Sequence, residues 1–354
     1  VTALSDRVVE HLRDVADWPD FAGTRYLLRE KIGQGGMGSI YRAEDVELRR
    51  DVALKVLSVP VAAEALAERL REEARILARL EHPGVVPVHD VGRLPDGRVY
   101  YAMKLVRGSR LDEHARTQAA LPPLLRVFER LCEAVAFAHD RGVLHRDLKP
   151  QNVMVGAFGE VLVMDWGVAK VRRAQEAPRT APAGQPAAAE PSATAHGTVL
   201  GTPGYMSPEQ ARGETEEIDE RTDVYALGAI LYFLLSGRPP LGVDSEAATR
   251  TAREHAAAAP EARFAPPRKL RAGIPRPLEA VCLKALAFDR AERYASVRTL
   301  AADVARHLDG QPVEAYPETL LERAQRLVRA HQLLIVLVLV YLAVRAALLL
   351  LARP

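Results

Sequence analysis

Cysteine is scarce in this chain: of 354 residues only Cys132 and Cys282 carry thiols, far apart and in no metal-type spacing. That scarcity excludes a disulfide-stapled secreted scaffold and a thiolate zinc site, and it predicts a reducing, cytosolic surrounding for the main domain. A charge of one sign is lacking too. The 48 Lys and Arg nearly cancel the 46 Asp and Glu, leaving a formal net charge of +2, so electrostatics alone gives nucleic acid no claim as a partner. The stretch from Val1 to Trp18 is charged throughout and lacks the apolar core of a secretory signal, so it is not expected to direct the N-terminus across a membrane. No repeat recurs along the chain. What is there suffices for one or two compact lobes with flanking segments.

Within Ser5 to Trp18, Val8, Val9, Leu12 and Val15 recur at helical spacing and predict a short amphipathic helix, with a packing role, before the break at Pro19. From Tyr26 to about Arg107 come short alternating, β-branched runs, RYLLREKIG, SIYRAED, DVALKVL and VYYAMKLV, broken by one helical stretch from Ala63 to Leu80. They predict a small sheet carrying one helix. Beyond Arg107 the period turns helical around Pro122 to Arg141, Asp223 to Ser236, Pro277 to Ala287 and Ser296 to Asp309, which predicts a larger helical lobe. Between Val171 and Ala195 the chain is rich in Ala and Pro without periodicity, a composition that cannot bury a core and predicts a mobile loop.

One long apolar run exists, LLIVLVLVYLAVRAALLLL from Leu333 to Leu351. At about 1.5 Å of rise per residue it matches the hydrocarbon thickness of a bilayer and predicts a transmembrane helix. Arg345 interrupts it; an arginine at the centre of a span costs roughly 2.5–3.5 kcal/mol, but this one lies off-centre and can snorkel to the nearer headgroups. A core helix of that length would normally keep a polar face. Arg323, Arg326, Arg329 and His331 precede the run while Arg353 alone follows it, so the positive-inside rule predicts that the N-terminal domain is cytoplasmic.

Four motifs carry chemistry. EKIGQGGMGSIYRA holds Gly33, Gly35 and Gly38 in G-x-G-x-x-G spacing between two strand-like segments. A dinucleotide-binding turn would open a helix instead. Between strands, the missing side chains let backbone amides approach nucleotide phosphates, with Ile40 covering the base; the plainer alternative is a flexible hairpin. In VALK, Lys55 ends an alternating strand whose other inward residues are apolar, and a lysine there needs an anion. Glu73 of LREEARILARLEHP is the preferred partner, with Glu72 as its competitor. The run VLHRDLKPQN, from Val143 to Asn152, supplies Asp147 to orient and deprotonate a hydroxyl, Lys149 to neutralise a phosphoryl group and Asn152 to hold a metal ion. His145 suits a packing role. Thirteen positions after Asn152, Asp165 follows an apolar run and precedes a glycine, as a hard carboxylate ligand for Mg²⁺ should.

Together these segments resemble the protein-kinase superfamily, specifically the eukaryotic-like serine/threonine kinases of bacteria. The resemblance spans roughly Tyr26 to Leu308 and includes Asp165-Trp166-Gly167 and GTPGYMSPEQARG from Gly201 to Gly213. It implies an α+β, bilobal protein-kinase fold: an N-terminal extension 1–23, a β-rich N-lobe 24–106, a helical C-lobe 107–310 with an activation-loop insert 172–195, a juxtamembrane segment 311–332 and a transmembrane helix 333–351. It further implies transfer of the ATP γ-phosphoryl group to protein Ser and Thr hydroxyls, the chain's own included, in bacterial signal transduction. The catalytic residues so implied are Asp147, Lys149, Lys55 and Glu73. ATP would be held by Ile32, Gly33, Gln34, Gly35, Gly36, Met37, Gly38, Ile40, Ala53 and Lys55, with Met103 guarding the rear of the adenine pocket and Lys104 and Val106 offering backbone hydrogen bonds. Mg²⁺, with Mn²⁺ as a substitute, would be held by Asn152 and Asp165.

In the same family Glu209 pairs with a late arginine that matches Arg293, and Asp223 braces the catalytic loop. Two departures occur, Trp166 where phenylalanine is usual and Ser207 where alanine is usual; neither removes a catalytic group. Lys149 together with Thr202 resembles serine/threonine rather than tyrosine kinases. Arg146 beside Asp147 implies activation by autophosphorylation, with Thr194, Thr198 and Ser192 as acceptors. Protein substrates, the membrane and a second copy of the chain are the partners compatible with this reading. Two other classes compete with it: a pseudokinase scaffold, against which the intact Lys55, Asp147, Asn152 and Asp165 argue, and a small-molecule phosphotransferase, against which GTPGYMSPE and Arg293 argue.

Overall fold

The computed structural model describes residues 18–35, 38–57, 64–118, 120–166, 170–171, 204–240 and 264–351. The helix expected before Pro19 lies outside them save for Trp18. So do the insert 172–195, Thr198 and Thr202.

The N-terminal part is a five-stranded antiparallel sheet in the order β1-β2-β3-β5-β4. Its strands are β1 (Tyr26–Gly35), β2 (Gly38–Asp45), β3 (Arg50–Leu57), β4 (Val88–Arg93) and β5 (Val99–Lys104), with helix α1 (Glu64–Arg79) between β3 and β4. β3 is central, so both of its edges are paired, and its side chains alternate between two cores as the pleat requires. Val52, Leu54 and Val56 join Phe21, Tyr26, Tyr41 and Tyr100 on the outer face. Ala53 and Leu57 join the main core on the inner face. Lys55 belongs to the inner set by the same alternation and is itself buried. Helix α1 buries a stripe of Ala67, Leu70, Ala74 and Leu77 against that face, each large side chain contributing roughly 1.5–3 kcal/mol of hydrophobic stabilisation. Glu73 sits on this buried stripe, whereas Glu68, Glu72 and Arg75 stay at the surface.

The remainder is mostly helical. The strands β6 (Gly108–Arg110), β8 (Val153–Gly156) and β9 (Val161–Val163) form a small sheet, and β7 (Val143–Leu144) pairs with β10 (Lys170–Val171). They lie beside α2 (Leu111–Thr117), α3 (Leu121–Asp140), α4 (Pro208–Arg212), α5 (Glu220–Ser236), α6 (Pro267–Leu270), α7 (Arg276–Ala285) and α8 (Val297–Leu308). Helix α5 is buried on every side from Thr222 to Leu235, as an all-round apolar sequence demands. Its Gly228 lets α7 approach: a Cβ there would lie 2.8 Å from the Ala285 Cβ. Cys132 and Cys282 are buried free thiols.

After this body come α9 (Leu320–Ala330), opened by a Thr319 and Glu322 capping box, and α10 (Gln332–Leu351). Among the described residues no helix is long and apolar enough to cross a membrane; the side chains of Leu334, Ala346, Ala347, Leu349, Leu350 and Leu351 fall outside that statement. The apolar run from Leu333 to Leu351 lies within one continuous helix of 20 residues.

Candidate active site

The inner face of β3 brings Lys55 to α1. Its Nζ donates to Glu73 Oε1 at 2.8 Å and Oε2 at 3.1 Å, and to Asp165 Oδ1 at 2.9 Å. Glu72, the competitor that spacing left open, pairs with Arg75 on the exposed side of α1. Tyr101, opposite Lys55 in the β3–β5 register, donates its hydroxyl to Glu73 Oε1 at 2.9 Å. Burial pulls the Lys55 ammonium toward deprotonation, but Tyr101, Glu73 and Asp165 outweigh it and raise its pKa. Burial pushes the Asp165 carboxyl up; Lys55, aided by His145 and Lys149, pulls it further down, below its ordinary value. The site therefore holds a cation locked among acids, and Asp165 still has 48% of its side chain exposed.

The loop between β7 and β8 is shaped by Asp223 at the buried start of α5. Its Oδ2 accepts the His145 N–H at 2.8 Å and its Oδ1 the Arg146 N–H at 2.9 Å, while His139 Nε2 lies 2.7 Å from Oδ2. Burial raises the Asp223 pKa, and the histidines with the Arg146 N–H bring it net below the ordinary carboxylate value. These bonds hold Arg146 at φ +69°, a left-handed conformation that side chains rarely adopt. Beyond the bend, Lys149 Nζ donates to Asp147 Oδ2 at 2.9 Å, and Asn152 Nδ2 donates to the Asp147 carbonyl at 2.8 Å. The His145 ring bonds the Met164 carbonyl at 3.0 Å, and the Met164 N–H donates to the Asn152 carbonyl at 2.8 Å. The loop that carries Asp147 is thereby fastened to the strand that presents Asp165, itself at φ +56°.

Above these groups the β1–β2 hairpin closes with Gly35 opposite Gly38 and Ile40 opposite Gly33. A Cβ on Gly38 would lie 2.1 Å from the Val56 carbonyl, so this glycine is required by the strand behind it whatever it does for phosphates. Gly36 and Met37 lie outside the described residues. Ala53 pairs with Met103 across the sheet, both buried; Ile32 is exposed, and Val106 packs against the main core. The Lys104 N–H is committed to the Pro87 carbonyl at 3.1 Å, so of the backbone bonds expected here Lys104 can supply only its carbonyl.

Residues 26–306 match the model of the protein kinase domain. The chain belongs to the protein kinase family. It is similar to the serine/threonine-protein kinases PknB of Mycobacterium leprae, 37% identical over 303 residues, and PknB of Mycobacterium tuberculosis, 38% identical over 303; each match covers 84% of this chain and 45% of the relative. PknD of Chlamydia felis is 37% identical over 318 residues, with 84% of this chain and 32% of the relative covered. The kinase thus spans less than half the length of these curated relatives.

The family's structural pair is present in this kinase. Arg293 grips Glu209 with two bonds of 2.8 and 2.9 Å, Thr222 donates to the same carboxylate at 2.9 Å, and Glu209 and Arg293 are fully buried. Trp166, the unusual aromatic, is fully buried; its indole N–H donates to the Val163 carbonyl at 3.3 Å and its ring lies 4.7 Å from that of His145. Ser207, the unusual hydroxyl, is the N-cap of α4 and shares a capping box with Gln210. Sequence reasoning missed Tyr101, His139 and Gln210. For Tyr101 a signal existed: two positions before Met103 on an alternating strand, it must share the inner face.

Proposed function

We propose that this kinase transfers the γ-phosphoryl group of ATP to Ser and Thr hydroxyls of proteins, its own included, and that its C-terminal helix anchors it in the cell membrane with the catalytic body on the cytoplasmic side. The observation that carries the activity is the three-way contact of Lys55 with Glu73 and Asp165. Such a geometry keeps a buried ammonium ready for phosphate oxygens beside a half-exposed carboxylate, and the relatives described as serine/threonine-protein kinases direct the reading to Ser and Thr.

The donor set suits a magnesium ion. Asp165 offers an ionised carboxylate, and Asn152, whose Nδ2 is donated to Asp147, offers its carboxamide oxygen. Both are hard oxygens, and one or two such ligands with phosphates and water are what Mg²⁺ takes; Mn²⁺ accepts the same set. When bound, the ion neutralises charge on the phosphates. The chain does the rest. Lys55 holds the α- and β-phosphates, the hairpin covers them, and Ala53, Met103, Lys104 and Val106 seat the adenine. Asp147 orients the attacking hydroxyl and takes its proton as oxygen bonds to the γ-phosphorus and the bond to the β-phosphate oxygen breaks, releasing ADP. Lys149, already against Asp147, faces the charge that develops. Catalysis of this kind is positioning plus electrostatics.

Arg146 supports autophosphorylation. Its Nε is buried with no hydrogen-bond partner among the described residues, and burial lowers its pKa against the pull of Asp223. A phosphate on the neighbouring segment supplies the anion it lacks. The acceptors, Thr194, Thr198 and Ser192, lie outside the described residues.

The anchor rests on exposure. Leu333, Val336, Leu337, Leu339, Val340 and Tyr341 of α10 are all more than half exposed, so this apolar helix of 20 residues, roughly 30 Å long, finds no covering surface among the described residues. Lipid chains satisfy it. Preceding it, α9 turns Leu320, Leu321, Leu327 and Val328 outward and also exposes Arg323, the make-up of a helix that lies in the headgroup layer.

One experiment tests both parts. The chain of residues 1–354 and a form lacking residues 333–354 are each given γ-labelled ATP, Mg²⁺ and a generic protein substrate. Both are expected to label Ser and Thr, and only the full chain should require detergent. Label confined to tyrosine, or no label on any protein, overturns the activity; a full chain soluble without detergent overturns the anchor alone.

A further inference from the structure

Gln210 is buried, at the third position of α4, and its side-chain amide is divided between two elements. Its Oε1 accepts the Ser207 N–H at 3.1 Å and the Ser207 hydroxyl at 3.2 Å, which closes the N-terminus of α4. Its Nε2 donates to the Arg146 carbonyl at 2.7 Å. The orientation of the amide is dictated by chemistry: turned over, it would set its NH₂ against the Ser207 N–H and its oxygen against the Arg146 carbonyl.

The Arg146 carbonyl belongs to the peptide that leads into Asp147. That peptide follows the residue at φ +69°, a conformation that persists only where its surroundings over-determine it. Asp223 holds the loop from one side through the His145 and Arg146 N–H groups. Gln210 holds it from the other. The same amide fixes the start of α4, where the chain runs on from the segment 204–207.

We propose that Gln210 is a positioning residue for Asp147. It makes the placement of residues 204–207 and the aim of the catalytic carboxylate one event, so that a shift of those residues is felt at the reacting hydroxyl through the Gln210 amide. The inference rests on the proposed protein kinase activity.

Two substitutions separate this role from helix capping. Gln210→Glu keeps an acceptor for Ser207, as a capping box prefers, but loses the donor to Arg146. Ser207→Ala loses the hydroxyl of the cap but leaves its backbone N–H to anchor the Gln210 oxygen. Q210E is expected to lower kcat on a protein substrate at least about tenfold, the scale of one lost buried hydrogen bond, with KM for ATP within about twofold of wild type because the nucleotide groups are untouched. S207A is expected to retain kcat within about threefold. Should Q210E fail to fold, Q210M, which lacks both hydrogen-bonding atoms, takes its place with the same two outcomes. Equal kcat in wild type and the Gln210 variant, or an S207A loss as large as that of the variant, overturns the coupling while leaving the activity intact. A wild type that labels no protein overturns the activity and the coupling together.

Discussion

At the residue scale the site is a set of side chains each of which has lost the freedom to be elsewhere. Lys55 is held by two carboxylates and Glu73 by Lys55 and Tyr101. A hydrogen bond to a charged acceptor is worth roughly 1.5–3 kcal/mol, so Tyr101→Phe, which keeps the ring and removes only the hydroxyl, should loosen Glu73 and let Lys55 drift from its place. The expected outcome is a fall in kcat/KM for ATP of about fivefold to twentyfold with a modest loss of stability. An ATP titration of the purified variant measures it, and an unchanged kcat/KM would show that Glu73 needs no second anchor. Trp166 belongs to this scale too. Replacing the usual phenylalanine with a larger ring costs nothing visible, because the added N–H finds the Val163 carbonyl, as a buried indole must.

Among elements, the helical part is braced by carboxylates buried against cations and N–H groups. Asp223 receives His139 and two backbone N–H groups, Glu209 receives Arg293 and Thr222, and Asp303 receives Tyr294, Arg306 and two backbone N–H groups. Burial raises each pKa, and these partners bring each net below its ordinary value of 3.8 for the aspartates and 4.5 for the glutamate. A carboxyl whose folded-state pKa is depressed gives stability that is fully present above its unfolded value and is lost as pH falls through the folded one. His82, His89 and His307 are lowered from 6.5 by burial; they too favour unfolding on protonation, with a gentler effect that begins below that value. Denaturant midpoints should therefore be level from about pH 7 to 8, slope down weakly below 6.5 and collapse below about 4. A midpoint that stays level down to pH 3 would show that these buried acids keep no such advantage.

The whole molecule shows how far a sequence can be read without coordinates. The sheet with one helix, the helical remainder and the family were legible because alternation, helical period and the spacing of VALK, HRDLKPQN and DWG are local properties. Glu73 could be preferred over Glu72 but not separated from it until α1 was seen to bury one and expose the other. Contacts between residues distant in the chain were not legible: Gln210 meets Arg146 across 64 positions and His139 meets Asp223 across 84. Ser207 looked like a neutral departure and is a helix cap; Gly38 looked like a phosphate glycine and is also demanded by Val56. Each of these depends on what the fold brings opposite a residue, which no window along the chain contains.

The central claim is that Asp147 aims a protein hydroxyl at a phosphoryl group whose nucleotide is held by Lys55. Phosphoryl transfer from γ-labelled ATP, measured side by side for wild type, Asp147→Asn and Lys55→Met on one Ser/Thr substrate, tests it most directly. Wild type should label the substrate, and both variants should do so at least about a hundredfold more slowly while remaining folded. Equal rates in wild type and Asp147→Asn would contradict the account.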